Sequence, residues 1–347
     1  MTQKKVNLAI LGAGMIGDVL IDAARKDGRA DVSWIVTRTQ KTLDAKLKKQ
    51  GVPNGTLDFQ DALADSNVDA VVIAGPPYTH TEMFTAALAA GKHVLLEKPM
   101  AIDRAEVQTI VDAADAHPEL TIVECSCRHA RLQPKFRKIK QMIDEGKLGE
   151  VYHIHHNHLT RGTFIEYNPL GTWALDKKMG GGGPFLDQGV YDLSFHLGLL
   201  SDVPNLKSIQ SFTRGGLKVF KDPSISQNIE EHGAAYMTFD TGLTYYYERG
   251  SGVHCEQKNE TRIYGTQGSI RVSFNTWDSP DIEYFYVDSE RNEKRDVIAT
   301  DMSEHTDDNQ ELMTHFLDCV LDGVKPLMTV NLAAKHLDIL FRILGIE

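Results

Sequence analysis

The aliphatic run Val6–Leu11, followed without a break by Gly12-Ala13-Gly14-Met15-Ile16-Gly17, constrains this chain more than any other feature. A run with no polar interruption reads as a strand buried on both faces, and glycines spaced G-x-G-x-x-G ahead of an amphipathic stretch read as a turn into a helix. Gly12 permits the tight turn, Gly14 lets the main chain approach a bound group, and Gly17 lets the helix lie close on the strand. Backbone N–H groups at a helix start attract phosphate, so the pattern predicts a dinucleotide held by Gly12, Gly14, Met15, Ile16 and Gly17. A turn that merely happens to be glycine-rich is the plain alternative, and it requires neither the strand before nor the helix after.

The same rhythm continues through Val32–Val36, Ala70–Ala74, His93–Leu96 and Thr121–Val123, with helically spaced apolar residues between these runs. That alternation predicts an α/β architecture, a Rossmann doubly wound parallel sheet over residues 1–123. From Val151 the pattern turns to alternating strands, seen at Val151–His155, Ala234–Phe239, Leu243–Arg249, Arg262–Tyr264 and Ser269–Phe274. Asp240-Thr241-Gly242 and Gly265-Thr266-Gln267-Gly268 read as hairpin connections between such strands. Residues 124–347 are therefore expected to form an α+β domain with a large, mainly antiparallel open sheet, closed by helices over Asn309–Leu321 and Val330–Leu344. A length of 347 residues suits two domains.

Composition narrows the partners. Asp and Glu number 48 against 37 Lys and Arg, a net charge of -11, which repels phosphate backbones and anionic lipid, so neither nucleic acid nor membrane is an expected partner. No apolar run approaches the ~18 residues of a membrane span, and the start lacks a secretory cleavage pattern. Four scattered cysteines, Cys125, Cys127, Cys255 and Cys319, do not make a disulfide framework, and a cytoplasmic location is expected.

Three further places carry chemistry. At the end of the second strand an acid would hold both ribose hydroxyls of NAD, yet the sequence reads Val36-Thr37-Arg38-Thr39. Arg38 with Thr37 can instead hold a 2′-phosphate, which leans toward NADP, while Arg38 stacked on adenine would still admit NAD. Glu97-Lys98-Pro99 ends the fifth strand-like run, where open α/β sheets bind ligands, and its X-Pro bond is a candidate cis peptide. Finally, Gly180-Gly181-Gly182-Gly183 allows close backbone approach to a ligand, and Asp187 and Tyr191 beyond it are spaced one helical turn apart. A phenol beside a lysine ammonium can serve as a base toward a hydroxyl. The plain alternatives are a surface lysine, a flexible glycine linker and a core tyrosine.

These residues together resemble the Gfo/Idh/MocA family of nicotinamide-dependent sugar and polyol oxidoreductases. The matching elements are Gly12–Gly17, Pro76-Pro77 with His80, Glu97-Lys98-Pro99, Trp173, Gly180–Gly183, Asp187–Tyr191, Gly265–Ile270 and the tail Phe316, Gly323, Pro326 and Thr329. The resemblance implies that Pro76, Pro77, His80, Glu97 and Lys98 adjoin the cofactor. It also implies that Lys98 contacts the substrate, Asp187 orients the substrate hydroxyl, and Tyr191 transfers the proton. Many members carry His at this last position; Tyr191 matches the glucose-fructose oxidoreductase and dihydrodiol dehydrogenase branches and speaks against an inositol dehydrogenase. The acid that many members place three residues later is Ser194 here, with Asp192 available to compensate. The segment Pro184–Leu197 resembles bacterial members acting on pentoses, including apiose dehydrogenases.

The expected reaction is hydride transfer from a sugar or polyol carbon to the nicotinamide of NAD or NADP, an aldose giving a lactone, with Trp173, Arg128, His158 and Arg131 around the substrate. A sugar sensor without turnover, or a glycoside-cleaving enzyme using the cofactor transiently, is the alternative class. His153, His155, His156 and His158 place imidazoles on strand faces as metal ligands would sit, yet no further ligand motif follows, and no metal is expected. Cys125-x-Cys127 lacks redox or zinc spacing and reads as small buried side chains, while His196, a competing base, is rotated away from Asp187. Relatives pair subunits through the open sheet face, so a homodimer or homotetramer is implied.

Overall fold

In the computed structural model the described residues are 5–162, 166, 171–200, 203–217, 225, 227–254, 256, 258–273, 279–303 and 305–346. They divide into two compact units: residues 1–128 with 306–335, and residues 129–305 with 336–347.

The first unit is built on a parallel sheet. Its strands are β1 (Val6–Leu11), β2 (Ala30–Val36), β3 (Asn54–Thr56), β4 (Ala70–Ile73), β5 (His93–Leu96) and β6 (Ile122–Glu124), in the order β3-β2-β1-β4-β5-β6. Every residue of β4 is buried, as expected of a strand covered on both faces. Helices α1 (Met15–Asp27), α2 (Gln40–Gln50), α3 (Phe59–Ala64), α4 (His80–Ala89) and α5 (Arg104–Asp115) make the crossovers. The order reverses between β1 and β4, which creates the crevice where doubly wound sheets bind ligands.

The tail helix Asp308–Asp322 belongs to this unit, a departure from the expected division at 123/124. The reason is electrostatic as well as apolar. Arg29 lies 2.7 Å from both Asp27 and Asp318, and the Thr314 hydroxyl donates to Asp27 at 2.8 Å, fastening the helix to the end of α1. Asn331 reaches Asp115 on α5 at 3.0 Å.

The second unit contains β7 (Val151–Thr160), β8 (Leu206–Gly215), β9 (Glu230–Phe239), β10 (Thr244–Ser251), β11 (Lys258–Gly265), β12 (Gly268–Val272), β13 (Asp281–Val287) and β14 (Glu293–Ala299). Among the described residues they form one sheet, β14-β13-β12-β11-β7-β10-β9-β8, antiparallel except for the parallel pair β7 and β10. The two expected hairpins connect β9 to β10 and β11 to β12. One face is buried, with Ile154, Met237, Tyr245, Tyr247 and Ile263 at 1% exposure or less, and packs under the helix Gly189–Gly198. The other face presents Tyr152, Phe212 and Tyr236 to solvent. No described helix is long and apolar enough to cross a membrane.

Candidate active site

In the first unit the glycine loop sits at the switch point. Gly12 has φ +101°, and a Cβ there would stand 2.5 Å from the Gly75 nitrogen, because the loops after β1 and β4 touch at this glycine. A Cβ on Gly17 would lie 2.5 Å from the Gly12 carbonyl oxygen, so the helix can start this close only without a side chain. Gly14 differs: it is exposed, and its Cβ would meet nothing within 4 Å. This open position starts α1, whose N-terminus has no side-chain cap, whereas α2, α3 and α5 are capped by Thr39, Asp58 and Asp103. Uncapped N–H groups behind an open glycine are the donor set a pyrophosphate needs, so these residues fit NAD(P). Met15 is exposed and Ile16 partly so, beside the same opening.

The neighbouring expected contacts divide. Arg38 is exposed at the end of β2 and makes no ion pair or hydrogen bond among the described residues. Thr37, expected to help hold a phosphate, is buried and donates its hydroxyl to the Thr39 carbonyl at 3.1 Å, which removes it from that role. Pro77 is buried and starts the short turn Pro77–Thr79, with Pro76 partly exposed ahead of it. His80 is 0% exposed, with Nδ1 3.0 Å from the Pro99 carbonyl oxygen and Nε2 3.0 Å from that of Gly75. It ties the loop after β4 to the turn after β5, and burial lowers its pKa.

Lys98 follows β5, partly exposed, and the Lys98-Pro99 bond is cis. Its neighbour Glu97 is buried against Arg128, whose Nη1 lies 2.6 Å from Oε1 and whose Nη2 lies 3.3 Å from Oε2. Burial alone would raise the Glu97 carboxyl, but the Arg128 guanidinium and the Lys98 ammonium outweigh it and hold the pKa below its ordinary value. Arg128 is 3% exposed and also donates to Asn309 at 3.2 Å, so the expected substrate contact becomes a support for the Glu97-Lys98 turn.

Glu124, paired with Leu96 across β5 and β6, was not singled out from the sequence. It is 1% exposed, and burial pushes its pKa to about 7 although Ser126 donates to it from both N and Oγ. Its folded pKa exceeds the unfolded value, so the stability it contributes is full below about 4.5 and is lost as pH rises through about 7. Glu124→Gln keeps an acceptor for Ser126 and never ionises. It should melt higher than the parent near pH ~8, with the gap closing near pH ~5. Thermal unfolding at the two pH values reads this, and a larger gap at the acid end would contradict it. Cys125 and Cys127 beside it are buried free thiols, as expected of small core side chains.

In the second unit the glycine run has a packing role. Gly180 through Gly183 are buried, and a Cβ on Gly183 would fall 2.0 Å from the Glu230 carbonyl oxygen on β9. Gly183 thus lets the backbone approach β9, while Gly180 lies against the turn at Trp173 and Ala174. Asp187 and Tyr191 also differ from the expected single helix: Pro184–Asp187 and Gly189–Gly198 are separate segments, broken at Gln188 with φ −116°. The break brings Gly189 against β10, where a Cβ would lie 2.7 Å from the Tyr247 hydroxyl. Asp187 is partly exposed and accepts from Gln188 Nε2 at 3.1 Å. Tyr191 is 2% exposed, its ring edge-on to His129 at 4.8 Å. Trp173 lies partly buried on the short turn Thr172–Leu175.

Behind Tyr191 lies a polar core that the sequence did not announce. Asp192 is 0% exposed and accepts from Arg249 Nε at 2.6 Å, Arg249 Nη2 at 2.8 Å and the Tyr247 hydroxyl at 2.8 Å. Burial would raise this carboxyl, but the Arg249 guanidinium and His156 hold it well below the carboxylate range. Asp192 is therefore committed to Arg249 and does not replace the acid missing at Ser194, which is itself buried. His196 lies 2.6 Å from the Tyr245 hydroxyl and 3.0 Å from that of Thr261, a core residue and no base. The Arg131 Nε donates to the Ser194 carbonyl at 3.2 Å, holding the Tyr191 helix. His158, partly exposed on β7, faces Arg249 Nη2 at 3.3 Å. Its strand neighbours divide between faces: His155 stacks near Tyr246, while His156 stacks on Tyr247. Among the described residues no group of three or more His, Cys, Asp or Glu is arranged to hold a metal.

Comparison with known proteins bears on both units. Residues 6–125 match the family model described as an oxidoreductase family with an NAD-binding Rossmann fold, and residues 136–271 match the GFO/IDH/MocA C-terminal domain. A D-xylose 1-dehydrogenase [NADP(+)] of Haloarcula marismortui is 26% identical over 78% of this chain and 69% of its own. A 1,5-anhydro-D-fructose reductase of Ensifer adhaerens is 28% identical over 75% of this chain and 74% of its own. Among solved structures, a levoglucosan dehydrogenase in complex with NADH superposes with a TM-score of 0.84 over 99% of this chain and 96% of that one, at 17% identity, which shows a shared fold.

Proposed function

Since this chain belongs to the Gfo/Idh/MocA family and is an NAD(P)-dependent oxidoreductase, we propose that it transfers hydride between a CH–OH group of a sugar or polyol and the nicotinamide. The observation that carries the reading is the uncapped start of α1 behind the open Gly14, at the switch point of the sheet. The substrate class is supported by the names of the relatives, which act on xylose, anhydrofructose and levoglucosan. An aldose oxidised at C1 to its lactone is the favoured substrate, and a pentose such as apiose fits the likeness of Pro184–Leu197.

The nicotinamide, when bound, supplies the hydride acceptor. Gly12, Gly14 and Gly17, with the adjoining Met15 and Ile16, would hold its pyrophosphate. Asp187 accepts a hydrogen bond from the substrate and orients the reacting carbon, the Tyr191 oxygen takes the hydroxyl proton, and the Lys98 ammonium favours the phenolate. As the C–H bond breaks, its electron pair leaves with the hydrogen, and the alcohol becomes a carbonyl. The Lys98 backbone N–H donates to the Glu97 carboxylate at 3.2 Å, and Arg128 holds that carboxylate.

Initial rates over NAD⁺ and NADP⁺ against a panel of aldoses and polyols test the reading. Reduced cofactor should accumulate with at least one substrate. Binding without reduction would make the protein a sensor, and release of an aglycone without net reduction would make it a glycosidase. Cofactor choice rests on Arg38. Arg38→Ala should lower kcat/KM for NADP⁺ by about 10–100-fold and leave NAD⁺ nearly unchanged, the worth of a charge-assisted contact to the 2′-phosphate. Equal losses for both cofactors would place Arg38 on the adenine instead. A homodimer or homotetramer is supported by the solvent-facing Tyr152, Phe212 and Tyr236, and light scattering after size exclusion reads it.

A further inference from the structure

His158 poses a question that its partner answers. Arg249 Nη2 carries only N–H bonds and no lone pair, so whichever ring nitrogen faces it at 3.3 Å must present a lone pair of its own. The proton of a neutral imidazole then sits on the other nitrogen, and a second proton would point an N–H at an N–H of like charge. We propose that Arg249, fixed by Asp192, locks His158 as a neutral single tautomer whose Nε2–H donates a hydrogen bond to an oxygen of the bound sugar or polyol.

Each link is built rigidly. Asp192 grips Arg249 through two bonds of 2.6 and 2.8 Å and takes a third from Tyr247, so the guanidinium has a fixed plane. β7 and β10 pair in parallel with Arg249 opposite His158, so the two side chains share a face by register. That face is the one covered by the helix bearing Tyr191 and Asp192. His158 remains partly exposed, and among the described residues no hydrogen bond reaches its Nε2, which leaves that N–H for a ligand. The charged and titratable groups around it are Arg249 from β10, Asp192 from the helix and His156 on its own strand; Asn259, opposite it on β11, is uncharged. Burial, with the Arg249 guanidinium adding to it, lowers the pKa of His158 to about 3.

The chemistry follows from the tautomer. A locked donor recognises an oxygen lone pair, such as a ring oxygen or a carbonyl, and cannot act as a base. It also keeps its protonation state across the working pH range, so it adds no titration to substrate binding. Arg249 and Asp192 act here as positioning residues.

The ligand half of the proposal rests on the dehydrogenase reading, and the tautomer half does not. Nitrogen NMR of protein labelled with ¹⁵N-histidine, with His158 assigned by its loss in His158→Gln, should show a protonated Nε2, an unprotonated Nδ1 and no titration between about pH 5 and 8. A ring that titrates near the ordinary value of about 6.5, or that carries its proton on Nδ1, would overturn the proposal. Arg249→Gln should release the ring to titrate and give KM a new pH dependence; should that variant fail to fold, the parent protein's titration still decides. With a turned-over substrate, His158→Leu should raise KM about tenfold or more with a smaller fall in kcat, and His158→Gln, which keeps an N–H, should recover most of that loss. An unchanged KM in His158→Leu would overturn the donor role. Absence of any turnover in the parent protein would instead remove the dehydrogenase reading, with the NMR result standing apart from it.

Discussion

Tyr191→Phe should lower kcat by about 10²–10⁴-fold, the usual worth of a positioned acid–base group, while KM moves little. The fold should tolerate the change, because the ring, 2% exposed and set edge-on to His129 at 4.8 Å, keeps its packing when only the hydroxyl is lost. A variant that retained full rate would exclude this phenol as the proton acceptor. The next candidate would not be His196, whose two ring nitrogens face Tyr245 and Thr261 in the core, nor His158, whose Nδ1 faces a donor.

Arg249→Met should be the most destabilising single change. It leaves the Asp192 carboxylate, 0% exposed, without its guanidinium partner, and breaking one side of a buried ion pair costs about 3–5 kcal/mol. Methionine fills much of the arginine stem's volume, so the loss reads the charge and not a cavity. The exposed pair Arg342 and Asp338, 2.9 Å apart on one helix face, is the control: Arg342→Ala should cost about 0.5 kcal/mol or less. Denaturant midpoints compare the two. A loss of similar size at both sites would mean that Asp192 does not remain a buried anion once Arg249 is gone.

The first unit was legible because its physics is local. Strands buried on both faces show as uninterrupted runs, and Gly12 and Gly17 occur where a Cβ would strike backbone. What a linear reading missed is direction. Thr37 and His80 occupy the expected loops, yet both turn inward to carbonyl oxygens, and nothing in the chain order reveals which way such a side chain points. The helix Asp308–Asp322 groups with the first unit, where Arg29, far earlier in the chain, holds it, and no local pattern encodes such a contact. In the second unit β14 was invisible: Glu293–Ala299 is almost wholly exposed, so it shows no apolar alternation. The Asp192 network joins residues more than fifty positions apart through a parallel strand pair, which no local pattern encodes. One signal did exist, since Tyr245, Tyr247 and Arg249 alternate onto one face of β10, and an arginine sharing a buried strand face with two tyrosines calls for an acid opposite it.

The central proposal is that Lys98 and Tyr191 serve the same proton transfer. A kinetic cycle of Lys98→Ala, Tyr191→Phe and the double variant, read as kcat with saturating cofactor and sugar, tests this most directly. The account predicts a double variant no slower than the worse single one, because an ammonium that acts by favouring a phenolate has nothing to favour once the phenol is gone. Losses that multiply would show two independent roles and contradict it.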